Sequence, residues 1–143
     1  MRKGLSGGKK YGPPPKKGPN PQGIKLKDAK NSYENLSKKN KLLWLSGLFD
    51  GEGSFGLWSK GIGRKRVFAA TIECCDEDII QRFQDMFGGA KFKTKKKDKR
   101  FKQLWRWRAQ GERAYDCVDK MIEYMCLRRQ EKYNVVKSDI ISR

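Results

Sequence analysis

Two carboxylates framed by glycines, Asp50-Gly51-Glu52-Gly53, are the side chains of this 143-residue chain best placed to do chemistry. They close the apolar stretch Trp44-Leu45-Ser46-Gly47-Leu48-Phe49, and an alternating strand start, Ser54-Phe55, follows them. An acid at a helix end, set against a basic sheet, is well placed to hold a divalent cation against a phosphate. The remaining composition narrows the chemistry. The chain has no His, which excludes every His-based triad. Its four cysteines, Cys74, Cys75, Cys117 and Cys126, form no CxxC pair, so a zinc site is not expected and reduced thiols, partly in the core, are. Catalysis would have to rest on carboxylates, metal and Lys or Arg.

Lys and Arg outnumber Asp and Glu by 34 to 16, a net charge of +18 that calls for a polyanionic partner. Residues 1–40 hold 11 basic and 2 acidic residues, and residues 41–143 hold 23 and 14. The part able to fold is therefore basic in its own right, which favours nucleic acid. No apolar run approaches the roughly 18 residues that span a bilayer, and the first residues lack a signal-peptide core; an intracellular setting is expected, whether phage, bacterial or organellar.

Residues 1–38 read as a basic Pro/Gly-rich tail ahead of a single domain at 39–143. Within the tail, Tyr11 to Gly23 is too rich in Pro and Gly for helix or central strand. It suits either a solvated linker or a basic arm along phosphates, using Lys9, Lys10, Lys16 and Lys17. From Lys39 the spacing of Leu42, Leu43, Leu45, Ser46 and Phe49 predicts a helix. Strands are predicted at Ser54 to Lys60 and Arg64 to Glu73, with a turn at Gly61-Ile62-Gly63. Asp76 then heads a helix carrying Ile79, Ile80, Phe83 and Phe87, which Gly88-Gly89 stops. A basic hairpin is predicted from Ala90 to Lys96 and Arg100 to Gln110, and two helices at 112–125 and 128–138.

The predicted order is αββαββαα, an α+β fold in which helices cover one face of a four-stranded antiparallel sheet. The uncovered face is expected to collect Lys60, Lys65, Lys91, Lys93, Lys95, Lys102, Arg106 and Arg108. Phe92, Phe101, Trp105 and Trp107 are expected opposite them, in the core. Basic residues in register across two hairpins point to a nucleic-acid surface.

Position for position, Leu45 to Gly53 resembles the LAGLIDADG motif of homing endonucleases, departing from the eponymous letters at Ser46, Phe49, Gly51 and Glu52. The element order is also that of the family, over roughly residues 40–140. The resemblance implies that motif helices of two units pack side by side and that two sheets form a saddle over the DNA major groove. A chain with one motif should then act as a homodimer on a pseudo-palindromic duplex site, with Ser46, Gly47 and Asp50 at the interface. Glu52 would be the metal-binding catalytic acid and the Gly51 carbonyl a second ligand, with Mg²⁺ (or Mn²⁺) as cofactor. Arg129, and next Lys132, would supply the basic active-site residue, in the segment Leu127-Arg128-Arg129-Gln130-Glu131-Lys132. Cys74 stands where the family frequently has a water-positioning Gln. Base readers would come from Trp58, Lys60, Lys65, Thr71, Lys93, Lys95, Leu104 and Arg106, since hairpin ribbons fit the major groove. The alternative is a fold of this type recruited to structured RNA, as an intron maturase or ribonucleoprotein component without nuclease activity. The long tail and Cys74 favour that alternative; Glu52 in its complete glycine frame favours cleavage.

Overall fold

The computed structural model describes residues 32–59, 61–96 and 98–141. Leu36–Arg143 form one compact unit; a helical turn at residues 32–34 belongs to a separate one, Met1–Asn35. The tail lysines and prolines singled out above, together with Lys60, lie outside the described residues.

Ser37 starts the first helix, α1 (Lys38–Glu52), its hydroxyl accepting the Asn40 amide at 3.1 Å. Gly53 ends it, donating its N–H to the Phe49 carbonyl at 2.8 Å. The chain continues as β1 (Ser54–Ser59) and β2 (Arg66–Cys74), then α2 (Glu77–Phe87). Glu77 and Asp78 sit in the first turn of α2, at the positive end of its dipole. Gly88 and Gly89 stop α2 at φ 71° and 90°. At Gly89 a Cβ would lie 2.7 Å from the Arg108 carbonyl, so only glycine fits there. The second hairpin is β3 (Ala90–Lys93) and β4 (Trp105–Gln110), followed by α3 (Glu112–Met121), a 3₁₀ turn at Ile122–Tyr124 and α4 (Leu127–Ile141). The order is the αββαββαα expected, with the strands of the second hairpin shorter than predicted.

The sheet is antiparallel throughout, in the order β1-β2-β4-β3. One face is the core: Phe55, Phe68, Ala70, Ile72, Trp107 and Ala109 pack against Leu45 and Phe49 of α1, Ile80 and Phe83 of α2, and Val118, Met121 and Tyr133. Trp107 is enclosed by Phe49 (6.5 Å, edge-on), Phe83 (5.3 Å) and Phe87 (5.9 Å), and its indole N–H donates to the Gly88 carbonyl at 2.7 Å. The far face carries no described helix.

All four cysteines are free thiols. Burial pushes the Cys117 thiol up to about 12, whereas Cys75 and Cys126 are exposed. Iodoacetamide at pH 8 is therefore expected to label Cys75 and Cys126 in the native chain. It should reach Cys117, with about a thousandfold less thiolate than an ordinary cysteine, only after unfolding. Mass spectrometry of the labelled peptides checks this; native labelling of Cys117 at the rate of Cys126 would contradict the packing.

Candidate active site and sheet face

Glu52 is the last residue of α1 and is exposed, with no hydrogen-bond or ion-pair partner for its carboxylate among the described residues. Gly51, also exposed, is within the last turn, where helix carbonyls have no intrahelical donor. The negative end of the helix dipole adds to the carboxylate, so this end of α1 attracts cations.

The backbone just after Glu52 is pinned from α4. Arg129 donates from Nη2 to the Gly53 carbonyl at 2.8 Å, and Lys132 donates from Nζ to the Phe55 carbonyl at 2.6 Å. Asp50 completes the bracket: its Oδ1 accepts the Cys126 amide at 3.1 Å and lies 3.7 Å from Arg129 Nε. At 3.7 Å that is a contact of charges, so Nε, although buried, lacks a hydrogen-bond acceptor among the described residues. The structure thus brings Asp50, Glu52, Arg129 and Lys132 to one end of the motif helix. Arg129 is the more enclosed of the two cations, its side chain 13% exposed, and it is held by backbone and Asp50. Lys132 keeps two further donors on an exposed side chain. Partial desolvation of its ammonium beside the Phe55 carbonyl first, and then the charges of Arg129 and Arg128, hold Lys132 below the usual lysine range although the rest of the side chain is exposed.

The donor set suits a hard cation: a carboxylate and a helix-end carbonyl that have no partner among the described residues, both oxygen. Two ligands are a minority of the six Mg²⁺ takes, and among the described residues no group of three His, Cys, Asp or Glu could hold a metal. Water, phosphate and a second copy of the chain would have to supply the rest. Cys74, at the same end of the sheet, donates its thiol to the Asp76 carbonyl at 3.3 Å and so closes the β2–α2 turn.

Two of the three residues expected at the dimer interface are committed elsewhere. Ser46 is fully buried in the core of its own chain and donates its hydroxyl to the Leu42 carbonyl at 2.7 Å. Asp50 is in the bracket just described. Gly47 alone faces outward, on the stripe of α1 that also shows Leu43 (37% exposed), Trp44 (39%) and Gly51. A Cβ on Gly47 or Gly51 would meet nothing within 4 Å.

On the sheet, pairing register decides which face each side chain takes. Trp58, Thr71, Arg106 and Arg108 share the face away from the helices, as expected, and line a hollow of about 550 Å³ with Val67 and Gln110. A second hollow of about 430 Å³ gathers Thr94, Lys95, Lys102 and Leu104 beside Arg106. Lys65 is exposed in the turn before β2. β3, however, has the opposite phase to the one expected. Lys91 pairs with Trp107 and Lys93 with Trp105, which puts both on the helix side. Lys91 bonds Glu77 at 3.0 Å and Gln81 at 2.7 Å on α2, and Lys93 lies 5.2 Å from the Trp105 ring. Phe92 is correspondingly on the uncovered face, 39% exposed, opposite Arg106. Phe101, expected in the core, is 60% exposed in the hairpin connection. Glu73, not picked out as a site residue, is paired with Arg106 on the same face. Its alternation with Thr71 along β2 was the available signal.

No protein-family model matches the chain, and no curated protein does. Solved structures do match. The LAGLIDADG homing endonuclease I-GzeII in complex with its DNA target is 13% identical, with a TM-score of 0.39 over 58% of this chain and 27% of that one. The LAGLIDADG homing endonuclease I-SmaMI bound to cleaved DNA is 19% identical, with a TM-score of 0.39 over 57% and 27%. The chain spans less than a third of the length of these structures.

Proposed function

We propose that this chain is a site-specific DNA endonuclease of the LAGLIDADG type, acting as an Mg²⁺-dependent homodimer on a pseudo-palindromic duplex. The observation that carries this reading is Glu52: an exposed carboxylate at a helix end, without a partner among the described residues, whose neighbouring backbone is braced by two cations. A structural acid in such a bracket would be paired, as Asp50 is. Glu52 and the Gly51 carbonyl would hold the metal, and two copies would bring two such pairs together. When bound, Mg²⁺ lowers the pKa of its water and offsets charge on the leaving oxygen. Lys132 would face the scissile phosphate and neutralise charge there, while Arg129 positions the strand that carries Glu52. Trp58, Thr71, Arg106 and Arg108, with Lys95, Lys102 and Leu104 on the hairpin, would lie in the major groove. Lys60, Lys65 and the basic tail at 1–38 would reach flanking phosphates.

The dimer reading has a direct test. Gly47→Leu adds a side chain where the single chain leaves open space, so the isolated unit should fold at least as well, gaining about 0.5–1 kcal/mol of helix propensity. The same side chain fills the space a second helix needs. Sedimentation is expected to give a dimer for the natural chain and a folded, cleavage-deficient monomer for the variant. A natural chain that sediments as a monomer with and without DNA ends this reading.

A second reading has its own observation. Trp58, Phe92 and Phe101 expose aromatic rings on or beside the uncovered face, as single-stranded RNA readers do to stack unpaired bases. Cut-site selection from a randomised duplex library with Mg²⁺ separates the two. Recovered cut sites support the endonuclease; no cut sites together with tight binding of structured RNA supports the RNA-binding protein.

A further inference from the structure

An acid on a face built to meet phosphates lowers affinity for every nucleic acid, and Glu73 is such an acid. It pairs in register with Arg106 across β2 and β4. Both Nε (2.8 Å) and Nη2 of Arg106 donate to a single oxygen of Glu73, Oε2. The two side chains remain 40% and 33% exposed, and exposed ion pairs contribute little to stability. Fold stability therefore gives weak reason for the pair, and its geometry gives a better one. With the Nε edge of the guanidinium bound to Glu73, the end of the group presents Nη1 and the outer hydrogen of Nη2 as two parallel donors. Those donors match O6 and N7 of guanine in the major groove. Glu73 Oε1 has no partner among the described residues and is an acceptor of the kind that takes the N4 amino group of cytosine. Phe92, with its ring 6.0 Å from the Arg106 guanidinium carbon, adds a flat contact under the cation. Arg106 also borders both hollows of the sheet face, so it stands at the middle of that surface.

We infer that Glu73 and Arg106 act as one reader of a single G·C base pair in each half-site, Arg106 donating to the guanine and Glu73 accepting from the cytosine paired with it. This rests on the reading of the sheet face as a duplex DNA surface. Glu73 is then a specificity residue: it fixes the orientation of Arg106 and selects against base pairs that offer no amino donor at its free oxygen.

The test uses the full chain without divalent metal, so that binding is read in the absence of cleavage. Duplexes are selected from a randomised library, and single base-pair variants of the preferred site are titrated. The natural chain should prefer G·C at one position of each half-site by about 5- to 150-fold. Glu73→Gln and Arg106→Gln, each confirmed folded by thermal unfolding, should flatten preference at that same position. The double variant should flatten it no further than either alone, the mark of a coupled pair. Three outcomes overturn the inference while leaving the duplex reading intact. Glu73→Gln could strengthen all duplexes alike and keep the preference, the two variants could relax different positions, or the natural chain could bind duplexes with no preference. Binding of RNA with no duplex binding removes the duplex reading itself, and the pair's role with it.

Discussion

Replacing Glu52 by Gln is expected to lower cleavage of the selected duplex by roughly a hundredfold or more while leaving its binding unchanged. The substitution removes one negative charge at nearly constant shape. Glu52 has no partner among the described residues, so no hydrogen bond or ion pair of the described fold is lost with it. The cation that Glu52 would hold is worth several kcal/mol to charge stabilisation during strand scission, and every 1.36 kcal/mol is tenfold in rate. On the proposed reading affinity would rest on the sheet face and hairpin, on side chains other than Glu52. Single-turnover cleavage and gel-shift titration, run on the same duplex, measure the two effects separately. A Gln variant that cuts at the natural rate removes Glu52 from the chemistry; one that loses binding in step with cutting makes it a binding residue instead.

The second large effect is expected at Gly53. A Cβ there would lie 2.3–2.5 Å from three atoms of the Phe49 ring, closer than any real contact. The ring has no room to retreat, because Phe55 stacks on it at 6.5 Å and Phe83 and Trp107 close the other sides. Gly53→Ala should therefore cost about 1–3 kcal/mol of overpacking and lower the melting midpoint by about 5–15 °C. The surviving folded molecules should also cut poorly, since the Gly53 carbonyl is the acceptor that Arg129 uses to brace the helix end. Phe49→Ala in the same chain removes all three clashing atoms, so the double variant is expected to be more stable than the sum of the two single losses. A Gly53→Ala chain that melts within a degree of the natural one would show that the close approach is not real.

These two residues also mark what sequence reasoning reached. The motif helix, its termination at Gly53 and the turn to β1 were legible because glycine, acid and apolar spacing all agree there. Three other features were not. β3 offers only Ala-Lys-Phe-Lys, with one large apolar residue, and the rule that such a residue points inward sent Phe92 to the wrong face. Trp105 and Trp107 from β4 already cover that part of the core, and the Lys91 and Lys93 ammonium groups lie 5.4 and 5.2 Å from the Trp105 ring, Lys91 also bonding Glu77 and Gln81. On α1, apolar residues run nearly all round, from Leu42 through Phe49, so spacing alone did not separate the core face from the open one. Ser46 looked like a small residue at a helix contact, yet bonding its hydroxyl back to Leu42 lets it sit dry inside its own chain. Glu73 was hidden at the head of an acidic run, Glu73-Cys74-Cys75-Asp76-Glu77-Asp78, and only strand register couples it to Arg106.

The brace at the end of α1 has a consequence for when the molecule can become active. Its three ties, Asp50 to Cys126, Arg129 to Gly53 and Lys132 to Phe55, span 76, 76 and 77 residues of chain. Contacts of such high order form only after the intervening chain has been closed, at an entropic cost local structure does not meet. Synthesis runs from the N-terminus, so the acidic motif leaves the ribosome well before the basic segment that completes it. A nascent or half-folded copy then holds Glu52 on an unbraced helix end, without Arg129 and Lys132. If the proposed reading holds, the competence to break a phosphodiester arrives late, with the docking of α4, and a cell making this chain would meet the finished site only once folding is over.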